Sequence, residues 1–412
     1  MAELTILQVV PRLDSGGSEQ AAVEIADALT RAGVCALVAT EGGRLATAVA
    51  KAGGAVVTLP MASKNPITLL ANARRLAHLI VERDVNLVHA RSRAPAWSAL
   101  LAARRTGRPF ITTYHGAYGS VAPFKNAYNS VMARGDRVIA NSRYTAGLIA
   151  ARHHVPPDRI RVIHRGVDLG KFAPEAVSPQ RLARLRAAWG IGEHQPVVLQ
   201  AARLTSWKGQ RLVIEAARQM LSENRLGGAV FVLAGDAQGR DGYRHELAQL
   251  IAASGLEGRV KLPGHCDDMP AAFAIAQVAI IASTSAETFG RTSIEAQAMG
   301  CPVIVSDIGA TPETIIPAGA DSQDYTGWVV PCRDPAAIAA RTAEALTLPP
   351  EARAALGARA RRHAAAKFAL SEMQQATLAV YDELLGTSLA ARFVRPAPRV
   401  ARTLGGRLPP SP

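Results

Sequence analysis

The sequence predicts an α/β protein built from two doubly wound parallel sheets in tandem, and three observations lead there. At 412 residues the chain exceeds one ordinary core, so two domains of average size are expected, and 49% apolar residues suffice to bury both. Short β-branched runs alternate with amphipathic helical stretches, the pattern of parallel strands joined by crossover helices. A Pro- and Gly-rich stretch, RGVDLGKFAPEAVSP, divides this alternation into two series.

In the first series LTILQVV leads into a helix from Ser18 to about Ala32, and ALVAT into one near Arg44–Ala52. AVVTLP precedes a helix over Ile67–Arg83, NLVHA one over Pro95–Arg105, FITTYHG one over Phe124–Arg134, and RVIAN one over Tyr144–His153. The second series begins at PVVLQAA with a helix over 208–222, then AVFVLAGD and a helix over 243–254, and RVKLPG with a helix over 269–276. VAIIAS with a helix over 291–299, PVIVSD and GWVVP complete it. The expected organisation is a front domain over 1–170, a linker over 171–190, a second domain over 191–368 and a helix over 369–386 that packs back on the front domain. Residues 387–412 form a basic tail rich in Pro, Arg and Gly, expected to be disordered.

No apolar run reaches the roughly 18 residues of a membrane span; AAFAIAQVAIIAS at 271–283 is shorter and carries Gln277. The opening MAELTILQVVPRLD reads as a strand rather than a targeting peptide, so a cytoplasmic location is expected. Cys35, Cys266, Cys301 and Cys332 show no C-x-x-C spacing, which argues against a zinc site or a disulfide framework. The net charge of +14 is segregated: residues 1–170 hold 21 Lys/Arg against 11 Asp/Glu, residues 171–386 hold 21 against 22, and residues 387–412 hold 5 against none. A basic front half suits an anionic partner such as a membrane surface; solvated arginines on helix faces are the bland alternative.

Parallel sheets bind ligands beyond the carboxyl ends of their strands, so a site is expected in the loops there. In RLDSGGSEQAA, Gly16 and Gly17 free the backbone at a helix start where amide groups approach an anion, although Ser18 also reads as an ordinary N-cap. In ARLTSWKGQ, Arg203 and Lys208 leave a strand end together and suit a diphosphate clamp, or are simply two surface cations; the Walker spacing is absent. In ETFGRTSIEAQAMG, Gly290 opens a turn, Thr292 follows in the first helical turn, and Glu295 stands roughly 6–9 Å beyond the loop that carries Glu287. That spacing fits an extended ligand with hydroxyls at both ends and a diphosphate between, such as a nucleoside diphosphate sugar; two solvated glutamates are the alternative reading. In TTYHG, His115 ends a front-half strand and is expected to face the cleft between the domains.

Together these stretches resemble glycosyltransferase family 4, retaining and metal-independent transferases of the two-Rossmann (GT-B) fold. The resemblance runs in order over about residues 4–385: Gly16 and Gly17, His115, the NS-x-x-T stretch (Asn141, Ser142, Thr145), VIHRGVDLGKF, ARLTSWKG, LAGD with Gly235 and Asp236, and the two glutamates eight positions apart followed by AMGCPVIVSD. It implies that Arg203 and Lys208 bind the donor diphosphate, Glu295 the ribose, and Glu287 the sugar hydroxyls. Amides around Phe289, Gly290 and Arg291 would help hold sugar and phosphate, with Gly17 against the diphosphate and His115 near sugar and acceptor. No cofactor or metal is implied, because the nucleotide-sugar is a substrate and the leaving diphosphate accepts the acceptor's proton. Arg165 stands where the family commonly has Asn, and Ala202 where it has Gly. The wording is most similar to bacterial members that build lipopolysaccharide core or other envelope glycans. The expected function is therefore hexose transfer from a UDP- or GDP-sugar to a lipid-linked or envelope glycan, with the enzyme peripheral at the inner face of the inner membrane. Phe124–Arg137 is the candidate membrane contact, although a helix with Phe124, Tyr128, Val131 and Met132 on one side is more often core. A nucleotide-sugar epimerase of the same fold is the alternative; nucleic acid is not expected as a partner.

Overall fold

The computed structural model describes residues 4–14, 16–117, 123–319 and 324–393. The front domain runs β1 (Thr5–Val9), α1 (Gly17–Arg31), β2 (Cys35–Thr40), α2 (Ala46–Lys51), β3 (Ala55–Thr58), α3 (Pro66–Glu82), β4 (Val85–Ala90), α4 (Arg93–Thr106), β5 (Phe110–Tyr114), α5 (Pro123–Asn129), β6 (Arg137–Ala140), α6 (Arg143–His153) and β7 (Ile160–Val162). After α7 (Pro179–Trp189) the second domain runs β8 (Val197–Ala201), α8 (Gln210–Ser222), β9 (Val230–Ala234), α9 (Asp241–Ala253), β10 (Val260–Gly264), α10 (Met269–Ile275), β11 (Val278–Ile281), α11 (Arg291–Ala298), β12 (Val303–Ser306), β13 (Gly327–Val330), α12 (Pro335–Thr347) and α13 (Pro350–Phe368). The chain closes with α14 (Leu370–Leu385) and α15 (Leu389–Arg392).

All strand pairs are parallel, in the orders 3-2-1-4-5-6-7 and 10-9-8-11-12-13. Each order reverses beside its first strand, β1 or β8, the crevice where doubly wound sheets bind ligands. The reason lies in the residues: β1 is TILQV and buried at every position, as a strand covered by helices on both faces must be. The helix α1 turns Ala21, Ala22, Ile25, Ala28 and Leu29 inward at helical spacing.

The 171–190 segment is largely second-domain structure rather than a free connection. Ser178 caps α7 at the amide of Arg181, Pro179 opens the helix and Gly190 ends it in the left-handed conformation. Phe172, Val177, Trp189 and Ile191 join the second domain's core, and Arg181 pairs with Asp268 at 2.6 Å. The actual passage between domains is double. Outgoing Val167 and returning Leu370 run side by side, with the Val167 amide donating to Phe368 O (2.8 Å) and the Leu370 amide to Val167 O (2.9 Å). Any side chain at Gly166 would stand 2.5 Å from the Cα of Leu370, so this contact requires glycine.

From there α14 lies against α1, and Met373, Leu378, Val380 and Tyr381 enter the front core. The expected disorder from 387 onward is corrected for 387–393. Asp382 accepts the amides of Leu389 (2.6 Å) and Ala390 (2.9 Å), nucleating α15, and Leu389 and Phe393 are buried. Residues 394–412 of the tail lie outside the described residues. The candidate contact Phe124–Arg137 is corrected too: Val131 and Met132 are buried in the front core, so its apolar side faces inward. The side chain of Phe124 lies outside the described residues.

Candidate functional site

Both sheets turn their carboxyl ends toward one another, and the loops there meet in the cleft. Beyond β8, a 3-10 turn over Ser206–Lys208 is held by Gln200, whose amide donates to Lys208 O at 2.7 Å. Lys208 Nζ lies 2.8 Å from Glu287 Oε2, both side chains mostly buried, and the Ser283 hydroxyl donates to the other Glu287 oxygen. A small cavity beside this pair is lined by Ala202, Lys208, Ser283, Glu287, Gly290 and Thr292. Arg203 points to solvent, with no ion pair among the described residues. Gly235 ends β9 alongside, its amide donating to Gly264 O at 2.7 Å.

Gly290 adopts φ +116° and starts α11 without a side-chain cap, leaving first-turn amides open to the cleft. Glu295 follows one turn later with its side chain mostly enclosed; desolvation pushes its carboxyl above the usual range, opposed by the Arg291 guanidinium. Arg291 donates to Glu295 at 3.0 Å and reaches across to Glu24 of α1 at 2.8 Å, an interdomain bridge. The Phe289 side chain turns away from the cleft, packing on His164 and Phe368.

From the front domain, α1 begins at Gly16 with no side-chain cap; Ser18 instead donates to Glu19 at 2.7 Å, so it is not the N-cap. Its first amides are therefore uncommitted to any side chain, as an anion site requires. His115 lies half-buried just beyond β5, hydrogen-bonded through Nδ1 to the Arg165 guanidinium, and its enclosed Nε2 has no partner. Burial and the nearby cations Arg165 and Arg91 hold its pKa well below the usual histidine value, so the ring is neutral.

The motifs touch one another across the cleft. Thr288 donates to His115 O (3.0 Å) and accepts from the Asn141 amide (3.2 Å), while Thr145 donates to Thr288 O (3.3 Å). Glu313 accepts the amides of Arg143 (2.8 Å) and Tyr144 (2.7 Å) at the start of α6. The structure thus brings together Lys208, Glu287, Gly290, Thr292, Arg291 and Glu295 in one wall and Gly16, Gly17 and His115 in the other. Sequence reading missed Glu24, Ser283, Thr288 and Glu313. Glu24 left a signal: it sits on the apolar face of α1 between Ala21 and Ala28, where an unpaired carboxylate is too costly. Among the described residues no group of three or more His, Cys, Asp or Glu could hold a metal ion. A larger groove lined by Gln277, Gly300, Pro302 and Arg353 opens where β11 and β12 begin, at the opposite edge of the sheet.

Comparison with known proteins matches this division. Residues 15–171 match the model of Glycosyltransferase Family 4, and residues 183–363 that of Glycosyl transferases group 1. A D-inositol 3-phosphate glycosyltransferase of Catenulispora acidiphila is 31% identical over 316 residues, 72% of each chain. The chain belongs to glycosyltransferase family 4. A glycosyltransferase of Rickettsia africae shares the fold of this family 4 chain at a TM-score of 0.84 and 32% identity, covering 94% of this chain and 100% of that one. A GDP-mannose-dependent α-(1-6)-phosphatidylinositol monomannoside mannosyltransferase of Mycolicibacterium smegmatis is 29% identical over 322 residues, 73% of this chain and 78% of its own. The GT-B fold expected for the family is present, and the epimerase alternative finds no support among these relatives.

Proposed function

We propose that this glycosyltransferase moves a hexose, with retention, from a UDP- or GDP-sugar to a lipid-linked or envelope-glycan acceptor at the inner face of the membrane. The observation that carries the donor reading is the order of groups along one wall of the cleft. Glu287 lies at one end and Glu295 at the other, with Lys208 and the open amides of α11 between them. Carboxylates accept from hydroxyls, while the ammonium and the amides suit the diphosphate; Arg203, free at the rim, supplies a second cation. Glu287 keeps acceptor capacity beyond its bonds to Lys208 and Ser283, since a carboxylate offers roughly four lone-pair sites. Bound to Lys208, it serves as a hydroxyl acceptor in this reading and not as a nucleophile. The acceptor's proton passes to the departing diphosphate, whose charge Lys208, Arg203 and the helix amides of α1 and α11 offset. No cofactor and no metal takes part in this scheme.

Thermal-shift screening against UDP-, GDP- and ADP-sugars tests it: one base is expected to raise the melting temperature, and no shift with any of them rejects the donor reading. Labelled donor then separates transfer from epimerisation, since isomerised donor without any acceptor would reveal an epimerase.

The lipid side of the proposal draws on α3. Among the described residues four of the six exposed large hydrophobic side chains, Ile67, Leu70, Val81 and Leu101, lie on α3 and its neighbour α4, and Ile67 is 78% exposed. On α3 they share a face with Arg74, and Lys64 and Arg83 flank its ends, a composition complementary to an anionic bilayer. The helix starts where β3 ends, on the cleft side of the sheet, so a lipid-borne acceptor would meet the site there. This face replaces Phe124–Arg137 as the contact. Flotation with anionic liposomes at low salt should carry the protein, and Ile67→Ser with Leu70→Ser should abolish it; no flotation of the unaltered protein sinks the docking idea.

A further inference from the structure

Arg165 is the residue that the proposed scheme leaves unused, and its surroundings are unusual. Arg165 is 8% exposed as a residue, yet its hydrogen-bond partner is the neutral ring of His115. Arg91, 3% exposed, likewise bonds to neutral groups, Gln8 at 2.7 Å and the His89 ring at 3.5 Å. The buried carboxylate that acts on both through space, Glu24, is already bound to Arg291. A buried cation without a bonded counter-charge is costly, and an incoming anion relieves that cost. Burial, together with Arg291 and Arg91, brings the Arg165 pKa down to about 9, so it remains charged at neutral pH.

The position gives the anion's place. From Gly17, at the open start of α1, the nearest atom a Cβ would meet is Arg165 Nη2 at 3.8 Å, so guanidinium and helix amides border one space. The bond to His115 also settles that ring's proton. A guanidinium only donates, so Nδ1 must accept, and a neutral ring then carries its hydrogen on Nε2, the buried atom without a partner.

We propose that Arg165 is a third cationic ligand of the donor diphosphate, contacting its distal phosphate from the front domain and holding His115 as a hydrogen-bond donor through Nε2. This rests on the nucleotide-sugar reading and deepens it. Lys208 and Arg203 approach the diphosphate from one domain and Arg165 from the other, so the leaving group is fully neutralised only with the cleft closed. His115 thereby offers an N–H to a sugar or phosphate oxygen and cannot act as a base through Nε2.

The test compares UDP with UMP, and GDP with GMP, by calorimetry on the full chain and on Arg165→Gln. The distal phosphate distinguishes each pair, so Arg165→Gln should weaken the diphosphate at least about tenfold and leave the monophosphate within about twofold, the loss of one charge-assisted hydrogen bond. Equal weakening of both, or of neither, overturns the phosphate contact. Arg165→Lys keeps the charge and should restore part of the diphosphate preference; a lysine variant no better than glutamine points to a structural role and also overturns it. Ring-nitrogen NMR of His115, assigned with His115→Gln, should show the hydrogen on Nε2 in the unaltered protein; a hydrogen on Nδ1 overturns the donor assignment, and this arm needs no folded Arg165 variant. If neither UDP nor GDP binds the unaltered protein, it is the nucleotide-sugar reading that fails.

Discussion

The two walls of the cleft hold their charges differently. On the second domain the mostly enclosed charges of the wall are already matched: Lys208 with Glu287, Arg291 with Glu295 and with Glu24 across the cleft. On the front domain the buried cations Arg91 and Arg165 bond to neutral groups, His115 Nε2 has no partner, and α1 starts without a side-chain cap. One wall is a finished electrostatic network that a ligand must share; the other is a set of donors that a ligand completes. Under the proposed donor reading, binding satisfies the front domain most, which favours closure over the bound donor.

The largest effect should come from breaking the finished wall at Glu287. Glu287→Ala is expected to lower kcat by about 10²–10³ fold in a transfer assay, the range seen when one electrostatic group of an active site is removed. Unchanged transfer would remove Glu287 from the site. Next, Arg291→Met strands two carboxylates, the buried Glu24 and the mostly enclosed Glu295, and should destabilise the fold by about 3 kcal/mol in denaturant unfolding. Adding Glu24→Leu should return part of that loss, because one stranded charge is removed with it; no recovery would mean the interdomain bridge contributes little.

Such long-range pairs mark the limit of what the sequence made legible. Strands, helices and the loops that carry Gly16, His115, Lys208 and Glu287 were readable because hydrophobic period and turn residues act locally. Arg291 and Glu24 stand 267 positions apart and no local pattern links them. The α7 helix was hidden in a stretch whose Pro and Gly suggested a linker, although Ser178–Pro179 and Gly190 are themselves start and stop signals. The apolar side of Phe124–Arg137 read as core more readily than as membrane contact, and the sequence could not choose, since a hydrophobic face does not say what covers it. Side-chain polarity placed the carboxylates and cations in the cleft; it could not show that they would pair with each other.

The smallest effect probes the latch between the walls. Glu313→Ala removes the acceptor of the Arg143 and Tyr144 amides and should cost about 1 kcal/mol, read as faster hydrogen exchange at those two amides. Burial pushes the Glu313 carboxyl up, but His164 and the two amides together outweigh it and hold it below the usual range. Its stabilisation is therefore complete above the ordinary glutamate pKa of about 4.3 and is lost as the pH falls below that value through the depressed one. The protection of the Arg143 and Tyr144 amides, exchange relative to the intrinsic rate at each pH, should fall across that window in the unaltered protein and stay flat in Glu313→Ala.

The double passage at Val167 and Leu370 has a consequence for how the molecule is made. Tyr381, whose hydroxyl meets His89 at 2.7 Å, and Met373, Leu378 and Val380 complete a core whose other members lie mostly before residue 164. On the ribosome the front domain emerges first, yet it waits for some 200 further residues, a whole second domain, before its last helix arrives. The domain translated first is the last to be finished, and until then α1 exposes the apolar surface that α14 will cover.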